Sequence, residues 1–127
     1  MNSKTEKTNQ ASMESQITIL VTTKNRSDFV ERQLSYYLAQ NFEGAISIGD
    51  ASDGEHSQKN QKFINALKNK LRVEYNHYPN LGIIEGYKEI LKLVSTPYSV
   101  LLPDDDFLVP SGLNKCLGFL EKNPDFI

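Results

Sequence analysis

An open, mostly parallel α/β sheet with helices on both faces is the fold class this sequence predicts. Three observations carry the prediction. Short β-branched or apolar runs alternate with segments of helical periodicity, in the order β-α-β-α-β-α-β-α. Turn residues punctuate the joins. The polar residues that could bind something follow the strands, at the edge where open α/β sheets hold their ligands.

The elements follow in chain order. Ile17-Thr18-Ile19-Leu20-Val21-Thr22-Thr23 is dense in β-branched residues and stops at Lys24-Asn25-Arg26, so it reads as a buried strand. Phe29, Val30, Leu34, Tyr37 and Leu38 recur at helical spacing behind Ser27 or Asp28 as N-cap, and Asn41 to Gly44 ends that helix. Ala45 to Ile48 is a second strand, with a turn-rich loop from Gly49 to Gly54. A helix over Gln58 to Lys70 would bury Phe63, Ile64 and Leu67, and Leu71 to Tyr75 would be the third strand. Pro79 and Gly82 break the chain before a helix from Ile83 to about Leu93, with Ile84, Tyr87, Leu91 and Val94 on its packed side. Tyr98 to Leu102 is the fourth strand, and Pro110 or Ser111 opens a last helix that runs to Lys122 and stops at Pro124. Asp125-Phe126-Ile127 reads as the start of a further strand, so the chain is expected to be a piece of a longer protein.

Composition narrows the function classes. The 127 residues suit one domain, and a net charge of −2 with scattered Lys and Arg gives no nucleic-acid footprint. Cys116 is the single cysteine, which rules out an internal disulfide and suits a reducing, cytoplasmic setting. On the amphipathic last helix it reads as a core residue. Residues 1–16 are polar and read as a mobile tail, without the apolar stretch of a secretory signal. Membrane association would be indirect.

The chemistry concentrates at Asp104, Asp105 and Asp106, which follow directly on Leu101-Leu102-Pro103. Adjacent carboxylates repel unless donors, solvent or a cation compensate them. Oxygen ligands of this kind suit Mg²⁺ or Mn²⁺ when substrate phosphates complete the shell. The bland alternative is a helix cap or a solvated turn. Thr22, Thr23 and Asp50 end the first two strands and converge on the same edge if the sheet is parallel. No Gly-x-Gly-x-x-Gly and no Walker loop occurs, which disfavours dinucleotide dehydrogenases and P-loop hydrolases. A nucleotidyltransferase would carry a Gly-rich basic loop after strand one, and a receiver domain would carry acids there. Neither is present. Lys24 and Arg26, taken alone, read as solvated charges. His56 and His77 lack partners at metal spacing, and the Tyr36-Tyr37 pair reads as helix packing.

Thr22-Thr23-Lys24-Asn25-Arg26, Gly49-Asp50-Ala51-Ser52-Asp53, Asn80-Leu81-Gly82, and Leu101 to Asp106 followed by Pro110 lie in this order along the chain. Together these four segments resemble the nucleotide-binding half of an inverting, family 2-type glycosyltransferase with the A-type, Rossmann-like fold. The resemblance covers Ile17 to Ile127. It implies transfer of a sugar from a nucleoside-diphosphate sugar, typically a UDP-sugar, to a glycan, lipid or protein acceptor in polysaccharide or glycoconjugate synthesis. Thr22, Thr23, Arg26, Asp50 and Asp104 would then be nucleotide-binding, with Asp50 facing the base. Asp105 or Asp106 would ligate Mn²⁺ or Mg²⁺ as in the family's Asp-x-Asp motif. The catalytic base is expected downstream of Ile127, in an acceptor half missing here, so this piece alone would be inactive. Thr23 stands where the family usually has Tyr, Gly49 and Pro103 stand where acids are common, and Tyr87-Lys88 lies where an Arg is expected. A degenerate, non-catalytic module of the same fold is the competing reading.

Overall fold

Branched apolar residues on both faces of a strand require cover on both faces, and the first strand shows this. In β1 (Ile17–Thr23) only Thr22 is partly exposed, and Ile19, Leu20 and Val21 are fully buried. The computed structural model describes residues 13–126. After β1 come α1 (Ser27–Ala39), β2 (Ala45–Asp50), α2 (Gly54–Ala66), β3 (Arg72–His77), α3 (Ile83–Leu91), β4 (Tyr98–Pro103), α4 (Pro110–Lys122) and a 3₁₀ turn, Pro124–Phe126.

The four strands form one parallel sheet in the order β3-β2-β1-β4. The chain steps from β1 outward to β3, then returns across the sheet to place β4 on the other side of β1. The direction of winding therefore reverses between β1 and β4, the topological switch point where open α/β sheets form a crevice. The register levels the strand ends: Thr23 pairs with Asp50, Thr22 with Pro103, and Asp50 with His77.

Alternation along the strands sorts the two layers. Ile17, Ile19 and Val21 of β1 cluster with Ile46, Ile48 and Leu102 against Val30, Leu34 and Tyr37 of α1, Ile64 of α2, and Leu113 and Leu117 of α4. The opposite face presents Leu20, Thr22 and Gly49 to α3. That helix lies very close. A Cβ at Gly86 would sit 3.2 Å from Thr22 Cγ2, and one at Gly49 would sit 3.3 Å from Ile90 Cγ2. The missing side chains let α3 rest on the backbone beside the switch point. Among the described residues, no helix is long and apolar enough to cross a membrane.

Several expectations are corrected. Glu14 is buried and accepts the Glu43 N–H (3.2 Å), so the polar tail cannot extend through residue 16; residues 1–12 lie outside the described residues. α2 starts at Gly54, four residues early, because Asn25 Oδ1 accepts the Asp53 N–H (3.0 Å) and fixes the chain just before it. α3 turns Gly86 and Ile90 inward while Ile84 (67% exposed) and Leu91 (49%) face out, since the glycine sets the close approach. Cys116 is exposed because Leu113 and Leu117 take the inward positions of α4. Residues Asp125 and Phe126 belong to the 3₁₀ turn rather than a strand, and the Phe126 ring packs edge-on against Phe119 (5.3 Å).

Candidate functional site

The switch point opens into a cavity of about 750 Å³ between the carboxyl ends of β1 and β4 and the start of α3. Its polar wall is Thr22, Thr23, Lys24, Arg26, Asp104 and Asp105. Its apolar wall is Ala51, Tyr78, Leu81, Ile83 and Tyr87, with Gly49, Gly82 and Gly86 exposing backbone. A groove of similar volume lies between α2 and β3, with Lys68, Lys70 and Arg72 on it. That groove flanks the sheet edge away from the strand ends, and we regard the switch-point cavity as the site.

Asp104 is buried at 6% exposure and is compensated by two partners. Thr23 Oγ1 donates to its Oδ2 at 2.8 Å, and Arg26 lies 3.2 Å from its Oδ1. Asp105 is about half exposed, with Arg26 at a looser 3.7 Å. Arg26 also covers the Phe29 ring, 4.2 Å from its centroid. The cavity wall thus carries two carboxylates and two cations, Lys24 and Arg26, and is close to neutral.

The aspartate turn is fixed by Gln33, which the sequence reading passed over, and by Tyr87 and Tyr37, which it read as helix packing. Gln33, 1% exposed on α1, donates through Nε2 to the carbonyls of Pro103 (3.1 Å) and Asp106 (2.6 Å). Tyr87 Oη donates to the Leu102 carbonyl (3.0 Å), and Tyr37 Oη accepts the Leu108 N–H (3.0 Å). Gln33 was detectable: it sits at helical spacing from Val30 and Tyr37, a polar side chain on a core-facing stripe.

The expected site residues separate into two groups. Thr22, Thr23, Arg26, Asp104 and Asp105 meet at the cavity. Asp50 and Asp106 are not on its wall. Asp106 is exposed and contributes its carbonyl to Gln33. Asp50, expected to face a base, is fully buried beneath the wall formed by Gly49 and Ala51. Its carboxylate accepts from Ser52 N–H (2.8 Å), Asn60 Nδ2 (2.9 Å) and Tyr75 Oη (2.7 Å). Burial pushes its pKa up, yet the hydrogen bonds from Asn60, Ser52 and Tyr75 outweigh burial and leave it below the ordinary 3.8. Burial, then the bond to Asp50, pushes the Tyr75 phenol well up.

The same loop is tied down from both sides. His77 Nε2 contacts the Ser52 carbonyl (2.8 Å), Asn25 N–H donates to Ser52 Oγ (2.7 Å), and Ser27 Oγ contacts His56 Nδ1 (2.8 Å). Asn25 holds a left-handed backbone (φ 53°), which Asn tolerates better than most residues. Ser27 therefore spends its hydroxyl on His56 and does not cap α1. Both histidines are structural ties.

The fold has known counterparts. A mannosyltransferase from Pyrobaculum calidifontis, solved in complex with GDP-Man and Mn²⁺, superposes with a TM-score of 0.71 at 14% identity, over 83% of this chain and 32% of that one. The fold is that of a glycosyltransferase. S. aureus TarS (residues 1–349) matches with a TM-score of 0.69 at 17% identity, over 84% of this chain and 32% of that one. In sequence, the chain is 27% identical over 109 residues to an uncharacterized glycosyltransferase of Haemophilus influenzae, covering 84% of this chain and 33% of the relative. No family model matches the chain. It spans about a third of the length of each of these proteins.

Proposed function

We propose that this chain is the donor-binding part of an inverting, family 2-type glycosyltransferase that transfers a sugar from a nucleoside-diphosphate sugar. One observation carries the reading. Thr23, Arg26, Asp104 and Asp105 converge on a cavity at the switch point of a glycosyltransferase fold. The nucleoside would lie against the apolar wall of Ala51, Tyr78 and Leu81, with the diphosphate toward Asp105 and the uncapped first amides of α3.

The donor set fits a divalent cation held jointly with substrate. Among the described residues, no group of three or more His, Cys, Asp or Glu is placed to cage a metal. Mg²⁺ and Mn²⁺ sites that serve phosphates commonly use one or two carboxylates and take the remaining oxygens from the substrate. Asp105 faces the cavity with its carboxylate accessible, and Asp104 stands behind it, so these two would hold the ion. Bound there, the cation supplies Lewis-acid stabilisation of the departing diphosphate. In the transfer, the sugar C1–O bond to the diphosphate breaks with its electron pair, and the acceptor oxygen bonds to C1 as it loses its proton. We assign no residue of this chain to accept that proton.

Calorimetric titration with UDP, GDP and their sugars, with and without Mn²⁺, tests this. Binding that requires Mn²⁺ supports the reading. Folded protein that binds none of them in either condition would refute it.

A further inference from the structure

The Arg26 guanidinium bridges the two carboxylates proposed to hold the cation, 3.2 Å from Asp104 and 3.7 Å from Asp105. The two contacts differ in kind. Asp104 is buried and holds Thr23 as well, so removing its partners is expensive. Asp105 and Arg26 are both largely solvated, at 51% and 41% exposure, and 3.7 Å is too long for a hydrogen bond. Such a pair contributes little and parts readily. The backbone of Arg26 is fixed, since its carbonyl accepts the N–H groups of Phe29 (3.0 Å) and Val30 (3.2 Å), but its side chain lies along the open cavity wall. The Phe29 ring supports the guanidinium, its centroid 4.2 Å from the guanidinium carbon.

We propose that Arg26 is an exchangeable counter-ion that couples cation binding to diphosphate binding. A divalent cation competes with Arg26 for Asp105. A diphosphate gives the displaced guanidinium a new anion and gives the cation its remaining oxygen ligands. Each ligand therefore strengthens the other reciprocally. Arg26 suits this role better than Lys because its planar fork addresses two oxygens at once. The inference rests on the donor-site reading above and adds the regulation of that site.

The test is Mn²⁺ binding followed by the paramagnetic resonance of the free ion, on wild type, Arg26→Gln and Arg26→Lys, with and without UDP or GDP. Wild type is expected to bind Mn²⁺ weakly alone and at least tenfold more tightly with the nucleotide. Arg26→Gln is expected to bind Mn²⁺ alone about fivefold more tightly and to lose a similar factor of the coupling, with weaker nucleotide binding. Arg26→Lys should fall between the two, and amide spectra like wild type confirm the fold. If nucleotide-dependent Mn²⁺ binding is present but the variants match wild type, the exchange role is overturned while the donor site stands. If no protein binds Mn²⁺ or nucleotide, the donor site itself is overturned and the exchange role with it.

Discussion

Replacing Asp50 by Ala removes the acceptor shared by Ser52 N–H, Asn60 Nδ2 and Tyr75 Oη, at 2.8, 2.9 and 2.7 Å. The site is fully buried, so water does not replace the lost oxygens. Each orphaned buried donor costs about 1–3 kcal/mol. Tyr75 Oη has a fallback in the Ser57 carbonyl at 3.5 Å, which lowers its share. The expected loss is therefore about 3–5 kcal/mol, read as a fall in the urea midpoint at unchanged slope. Asp50→Asn keeps the shape, and a turned Asn60 amide can meet it, so its loss is about 1–2 kcal/mol. The pH dependence gives a second readout. The folded pKa of Asp50 lies below the unfolded 3.8, so its stabilisation is complete above that value and disappears as the pH falls through the lower folded value. The gap between wild type and Asp50→Asn should close on acidification below about pH 4. A loss under about 1 kcal/mol for Asp50→Ala, or a pH-independent gap for Asp50→Asn, refutes Asp50 as a buried ionised anchor.

Other changes separate the roles of neighbouring residues. Asp105→Asn is expected to weaken Mn²⁺-dependent nucleotide binding at least tenfold, and Asp106→Asn less than about twofold, because only Asp105 lies on the cavity wall. Equal losses in calorimetry would reject that division. Gln33→Met removes the donor to two carbonyls of the aspartate turn, which should cost about 1–2 kcal/mol in urea unfolding and weaken nucleotide binding by loosening Asp104 and Asp105. Unchanged stability would show that the turn holds without it. Burial raises the Glu14 pKa above 4.5, so its ionisation opposes folding as the pH rises through the raised value. Glu14→Gln keeps an oxygen for the Glu43 N–H and should raise stability at pH 7 by up to about 1 kcal/mol, with no gain below about pH 4.5. A gain independent of pH would point to another cause.

Much of the fold could be read from local patterns. Short β-branched or apolar runs between turn residues located the four strands, and Pro110 and Pro124 bracketed α4 where the structure has it. The strand order could not be read that way, since it depends on which edge β4 joins after its return. Helix faces were legible where apolar residues point to the core, as with Val30, Leu34 and Tyr37. They failed for α3, where close approach at Gly86, and not side-chain size, decides which side is packed. The carboxylates of the site were visible as a cluster, but their partners were not. Thr23 and Asp104 are 81 positions apart, and no periodicity links them. Asp50 looked like a ligand because it ends a strand at the right edge, and only the three donors around it show that it faces inward. Arg26 read as solvated for a related reason, since its two anions lie beyond the reach of local sequence.

The most direct test of the central claim is paramagnetic broadening of the amide spectrum by Mn²⁺ in the presence of a nucleoside diphosphate. The account predicts broadening centred on Asp105, extending to Asp104, Thr23 and Gly82 around the switch-point cavity. Ser47 and Thr96, which line a small cavity elsewhere on the sheet, should stay sharp. Broadening centred elsewhere, such as on Lys68 to Arg72, or none at saturating nucleotide, would contradict it.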